Sequence, residues 1–205
     1  MTSTRSLPRR ATLAAALLFG AGLSGLAFAA APQTQTAIFA GGCFWTMEHG
    51  LEEIPGVTEA VSGYTGGKTA HPTYEDVNTE TTGHLEAVRV TYDPAKITYR
   101  QLVDRYWRLI DPAQTDGQAC DRAPSYHSAI FVNSPQQRKD AEASKAAIDN
   151  GKLKGRIATE IRDAAPFWAA EGYHQNYARL HPAQYGAYRV GCGRDGILKA
   201  VWGGR

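Results

Sequence analysis

Between Thr36 and Ile54 the sequence changes its hydrophobic period without an intervening loop. Thr36 to Ala40 reads as a short strand, whereas Phe44, Met47, Leu51 and Ile54 recur at helical spacing. The chain therefore turns straight from strand to helix at Cys43, after Gly41-Gly42, and Pro55-Gly56 ends the helix. Val57 to Tyr64 predicts a second strand, followed by a long polar loop with Gly66-Gly67 and His71-Pro72. Leu85 to Tyr92 predicts a third strand, stopped by Asp93-Pro94. Thr98 with Gln101 makes a capping box ahead of the apolar face formed by Tyr99, Leu102, Val103, Tyr106, Trp107 and Ile110. A strand at Ser128 to Val132, a helix opened by Ser134-Pro135 and running to about Asn150, and a strand near Ile157 to Asp163 follow. The order β-α-β-β-α-β predicts an α+β fold, a split βαβ (ferredoxin-like) two-layer sandwich with helices on one face of a mixed sheet. Beyond Ala170 the chain is expected to be helical to about Leu180 and then to form an irregular, Gly/Tyr-rich C-terminal tail.

The N-terminus reads differently. Arg5, Arg9 and Arg10 precede an uncharged, Ala/Leu-rich run from Ala11 to Ala31, and Ala27-Phe28-Ala29 fits a small-x-small cleavage site. Residues 1–29 thus read as a signal peptide and 30–205 as a single domain, exported to the periplasm and free of the membrane once the signal is removed. An uncleaved membrane anchor is the alternative, because the run could span a bilayer of ~30 Å. Gly20, Gly22, Ser24 and Gly25 interrupt it.

Composition excludes several functions. With 43% hydrophobic and 20% charged residues the chain can bury a core and is not a disordered segment. Its 22 basic and 20 acidic side chains leave no surplus charge for a dedicated nucleic-acid binder. Three cysteines are too few for a disulfide-built scaffold. The histidines at 49, 71, 84, 127, 174 and 181 show no metal-ligand spacing, so no metal is expected.

Two positions stand out chemically. Cys43 sits where free helix-terminal N–H groups would stabilise a thiolate and lower the thiol pKa, although a buried, inert cysteine would also fit the pattern. Strand alternation places Glu86 on the inward face with Val88, Val90 and Tyr92, where burial would raise its pKa and make it a proton donor. The bland alternative for Glu86 is a strand-mouth carboxylate that is solvated or paired with Arg89 or His84. Cys192, between Gly191 and Gly193, reads as a mobile thiol able to reach another cysteine, and Cys120 is its rival.

Gly41-Gly42-Cys43-Phe44-Trp45, Gly63-Tyr64-Thr65-Gly66-Gly67, Pro72-Thr73-Tyr74, Gly83-His84-Leu85-Glu86-Ala87-Val88, Asp111-Pro112-Ala113-Gln114 and Ser125-Tyr126-His127-Ser128 together resemble the peptide methionine sulfoxide reductase A (MsrA) family across the whole mature domain. The resemblance implies thiol-dependent reduction of the S epimer of methionine sulfoxide, protein-bound and also free, as repair after oxidative damage. It implies Cys43 as nucleophile and Glu86 as acid, with Tyr74 and Tyr126 on the sulfoxide oxygen. Phe44 and Trp45 would form the methyl pocket, and Asp121 would help hold substrate or water. The Cys43 sulfenic acid would then be resolved by Cys192, or alternatively by Cys120. No bound cofactor is implied; oxidised proteins or peptides are the expected substrates of a monomer recycled by an external, thioredoxin-like dithiol. Thr46 departs from the Gly, Cys or Val common in the family, and His127 from its usual Arg. A general thiol-disulfide oxidoreductase is the competing reading, but the chain lacks the CxxC motif such an enzyme uses.

Overall fold

A computed structural model describes Met1, Thr2 and residues 33–203. The segment read as signal peptide or anchor, apart from its first two residues, lies outside the described residues, as does the expected start of the mature chain. Residues 33–203 belong to one compact unit.

The central strand β1 (Gln35–Ala40) runs antiparallel to β3 (Leu85–Tyr92) on one side and to β4 (Ala129–Val132) on the other. β2 (Val57–Thr65) pairs antiparallel with the far edge of β3, and β5 (Glu160–Asp163) adds in parallel beyond β4. A two-residue strand, β6 (Trp168–Ala169), closes the other edge on β2 and gives a mixed sheet of order β5-β4-β1-β3-β2-β6. Its inner four strands have the split βαβ order that the sequence predicts.

Helices α1 (Phe44–Glu52), α3 (Tyr99–Tyr106) and α4 (Pro135–Ile148) supply the second layer. Phe39, Val88, Val90 and Tyr92 of the sheet share one buried cluster with Met47 and Leu51 of α1 and Leu102, Val103 and Tyr106 of α3. The Phe39 and Tyr106 rings stack at 4.8 Å, and the Tyr106 hydroxyl donates to the Ala40 carbonyl at 2.8 Å. That bond ties the end of β1 to α3 just before the glycine turn.

Two expectations need correction. The polar loop before β3 contains a short helix, α2 (Tyr74–Asn78), opened by a capping box between Thr73 and Asp76. The C-terminal segment is not an irregular tail: α5 (Tyr177–Leu180) is followed by α6 (Pro182–Gly191) and α7 (Arg194–Trp202). Glycine costs about 1 kcal/mol in a helix interior, which hid these helices from propensity. Packing overrides it, through buried Tyr185 and Arg194 and a 2.9 Å bond from Trp202 Nε1 to the Ile110 carbonyl.

The β2–β6 edge leaves no room for a side chain at Gly63, where a Cβ would overlap the Trp168 carbonyl oxygen and the Phe167 ring. Gly63→Ala is expected to cost about 1–3 kcal/mol of stability, measured by urea unfolding, and to loosen the segment that follows β6.

Candidate active site

Cys43 is the N-cap of α1 and is 7% exposed. The turn that delivers it needs glycine at position 42, where φ is +81° and a side chain would collide with Gln118. The pairing of Ala40 with Ala87 sets Glu86 just beyond the end of β1, facing the first turn of α1. Glu86 is 2% exposed, and its Oε2 accepts the Phe44 N–H at 2.8 Å. Neither Arg89 nor His84 pairs with it. The Arg89 guanidinium lies over the Phe167 ring at 4.9 Å, and His84 is held by the Thr69 carbonyl at 2.7 Å and the Gly67 N–H at 3.1 Å.

Burial pushes the Glu86 carboxyl up to about 8, against the opposing pull of the Phe44 N–H, so it is mostly protonated at neutral pH. Burial also pushes the Cys43 thiol up, and a charge on Glu86 pushes it further. This corrects the expectation that the helix terminus lowers it. The first free N–H of α1 serves Glu86, leaving the Trp45 N–H and the Tyr188 hydroxyl as the groups that favour thiolate.

The aromatic side chains are placed by two distant carboxylates. Glu171 accepts the Tyr74 N–H at 2.8 Å and the Tyr64 hydroxyl at 2.9 Å, fixing the start of α2 against β2. Glu80 accepts the N–H and hydroxyl of Ser125 at 2.9 and 2.7 Å, which sets the turn Pro124–Tyr126. Burial together with the Glu86 charge raises the Tyr74 and Tyr126 hydroxyls, so both remain protonated donors. Phe44 is buried. Trp45 is half-buried, stacked on Tyr177 at 3.7 Å, with its Nε1 donating to His174 Nδ1 at 3.1 Å.

Behind the thiol, Asp121 accepts the Tyr188 hydroxyl at 2.6 Å, and that hydroxyl also contacts Cys43. Cys120 and Cys192 are joined in a disulfide with their Cα atoms 5.0 Å apart, while Cys43 is free. Cys192 is thus no mobile thiol here: it caps α6, is 8% exposed, and accepts the Cys120 N–H. Cys120, Asp121 and Cys192 lie within 4.8 Å of one another, but the bonded sulfurs have no thiolate to offer a metal.

The sequence pattern singles out Cys43 and Glu86 but leaves an inert cysteine and a solvated carboxylate open beside the reactive readings, and it misses Glu171, Glu80 and Tyr188. Each acts across a long sequence separation from the group it holds, and no local pattern marks them. Together the groups can protonate a small polar acceptor while a thiol attacks the atom bearing it.

The sequence model of the family described as "Peptide methionine sulfoxide reductase" matches residues 35–205. A Caulobacter vibrioides protein named peptide methionine sulfoxide reductase MsrA 2 is 55% identical over 175 residues, covering 85% of this chain and 89% of its own length. The Bacillus subtilis protein named peptide methionine sulfoxide reductase MsrA is 47% identical over 172 residues, covering 83% of this chain and 97% of its own. Among solved structures, methionine sulfoxide reductase A of Corynebacterium diphtheriae superposes with TM-score 0.67 at 33% identity, over 75% of this chain and 77% of that one. Mxr1 from Saccharomyces cerevisiae in reduced form gives TM-score 0.70 at 29% identity, over 73% and 87%.

Glu86 binds its proton more tightly in the folded chain, at about 8, than at its ordinary 4.5. The stability this contributes is complete below about 4.5 and is lost as pH rises through about 8. Glu86→Gln, whose amide oxygen can still accept the Phe44 N–H, is therefore expected to remove part of the alkaline loss of stability, by a few kcal/mol. Denaturant unfolding of both proteins across the pH range checks this. Glu48, raised to about 7 by burial, is present in both and cancels in the comparison.

Proposed function

This chain belongs to the peptide methionine sulfoxide reductase family and reduces methionine sulfoxide to methionine, and we propose that it acts on the S epimer with Cys43 as nucleophile and Glu86 as acid. The observation that carries the residue assignment is the buried, protonated Glu86 pinned to the Phe44 N–H beside the only free thiol among the described residues.

The sulfoxide oxygen takes the Glu86 proton while the hydroxyls of Tyr74 and Tyr126 donate to it, which makes the sulfur electrophilic. Cys43 attacks that sulfur, its thiol proton passing to the Glu86 carboxylate, and an S–S bond forms. The hydroxyl then passes from the substrate sulfur to the Cys43 sulfur as the S–O and S–S bonds break, so methionine leaves and Cys43 is left as a sulfenic acid. Phe44 and Trp45 receive the methyl group, and an apolar wall facing an oxygen clamp accommodates one epimer. Asp121, through Tyr188, orders the side of the pocket next to the thiol.

Both resolving candidates have a place in this reading. The buried Cys192 thiol condenses with the sulfenic acid, forming a Cys43–Cys192 disulfide and releasing water. Cys120 then attacks Cys192, freeing Cys43 as a thiol and leaving the Cys120–Cys192 disulfide. Cys120, the exposed member of the pair, is the one an external, thioredoxin-like dithiol can reach. The leader-like residues 1–29 support export to the periplasm. There, thiols oxidise unless a dedicated dithiol carrier supplies electrons.

Both epimers of a methionine sulfoxide peptide, followed by chiral chromatography with dithiothreitol, test the reading. Only the S epimer should disappear, and only with Cys43 present; Glu86→Gln should be slower by ~100-fold or more. Unchanged turnover in Glu86→Gln would remove Glu86 as the acid and leave the proton donor to be found among the tyrosine hydroxyls. Cys120→Ser should trap a Cys43–Cys192 disulfide after one turnover, detected by non-reducing peptide mapping. A trapped Cys43–Cys120 bond in Cys192→Ser, with none in Cys120→Ser, would reverse the order.

A further inference from the structure

Arg194 is the most deeply buried cation among the described residues, at 2% exposure. Its Nη2 donates to the carbonyls of Gly41 and Leu109, both at 2.8 Å, and reaches Met47 Sδ at 3.5 Å. Its Nη1 lies 3.1 Å from the point where a side chain on Gly42 would begin. The guanidinium is therefore packed against the two residues immediately before Cys43. Nε and Nη1 are buried and have no hydrogen-bond partner. The nearby carboxylates are engaged elsewhere: Asp195 pairs with Arg189, and Asp121 accepts the Tyr188 hydroxyl.

A buried cation is strongly unfavourable unless negative charge lies near it. The groups whose negative charge would favour the charged form of Arg194 are Tyr188, Cys43 and Asp121, and Tyr188 is held neutral by burial. Of these, Cys43 is the group that gains a negative charge when the nucleophile forms, and it follows directly on the Gly41-Gly42 turn against which the guanidinium packs. The remaining titratable groups around the thiol oppose it or are neutral: Glu86 on β3 and Asp121 carry or can carry negative charge, and Tyr74, Tyr126 and Tyr188 are protonated phenols. With the Phe44 N–H committed to Glu86, α1 offers the thiolate only the Trp45 N–H, a partial charge and not a cation.

We propose that Arg194 is a positioning residue for the nucleophile: its guanidinium holds the Gly41-Gly42 turn and provides the positive charge against which the Cys43 thiolate forms. Arg194 opens α7 two residues after Cys192, so the Cys120–Cys192 disulfide fastens the segment that carries it. This rests on Cys43 being the nucleophile, and it adds the source of its activation, which neither the motif nor the helix terminus provides.

The test is the alkylation rate of Cys43 by iodoacetamide as a function of pH, read by mass spectrometry on the full domain with the Cys120–Cys192 disulfide intact and no sulfoxide present. In that form Cys43 is the only reactive thiol, and a failed reductase assay does not affect the readout. Below the thiol pKa the rate rises tenfold per pH unit, so a shifted pKa appears as a constant rate ratio. Arg194→Gln, which keeps an N–H donor for the two carbonyls and loses the charge, should slow alkylation about tenfold or more at every pH below the pKa. Arg194→Lys, which keeps the charge and loses the planar fork, should stay within about threefold of the parent. Equal rates in the two variants, whether both match the parent or both fall, would overturn the proposal and leave Arg194 a purely structural prop. Should one variant not fold, as judged by circular dichroism, the other still decides: slowing in a folded Lys variant or an unslowed folded Gln variant contradicts the inference. If neither variant folds, Arg194 is a packing residue and the inference fails.

Discussion

A carboxyl group and a thiol, both almost without solvent contact, meet at the first turn of α1, and the bond from the Phe44 N–H to Glu86 Oε2 at 2.8 Å holds them in place. Desolvation keeps the carboxyl protonated, and a neutral carboxyl spares the thiol one source of repulsion. Acid and nucleophile are thus prepared by the same burial. The fold serves that meeting: the β1–β3 register places Glu86 past the end of β1, and the Gly41-Gly42 turn lets Cys43 begin a helix directly off the strand.

Around this pair the site is assembled from long-range polar bonds. Glu171, after β6, and Glu80, after α2, each accept two donors and thereby seat Tyr74 and the Pro124–Tyr126 turn on which Tyr126 stands. Charge-assisted bonds of this kind are stronger than neutral ones and fix orientation. The C-terminal helices complete the enclosure. Tyr188 of α6 touches the thiol and Asp121, Arg194 of α7 reaches under the glycine turn, and the Cys120–Cys192 disulfide ties this segment to the loop carrying Asp121.

What could be read from the sequence followed periodicity and short-range chemistry. The strand-to-helix switch at Cys43, the capping box at Thr98 and the inward side of Glu86 are all set by residues within a few positions, and the structure places each accordingly. α6 and α7 were not readable, because Gly186, Gly191 and Gly196 weaken the helical signal and packing against the rest of the chain restores it. The pairing of Cys120 with Cys192 spans 72 residues and left no local trace. The sequence points to a lowered Cys43 thiol because a helix terminus lies beside the sulfur, whereas burial raises it. The carboxyl takes that N–H instead, a competition visible only in three dimensions.

The central claim is that Glu86 is a neutral acid in the resting protein. Infrared difference spectroscopy of the folded domain against Glu86→Gln reads it directly, through the carbonyl stretch of a protonated carboxylic acid. The account predicts such a band at neutral pH in the parent, absent in the variant, and fading as pH rises through about 8. A difference spectrum showing only carboxylate bands at neutral pH would mean that Glu86 is ionised beside Cys43, and the proton donor would have to be sought elsewhere.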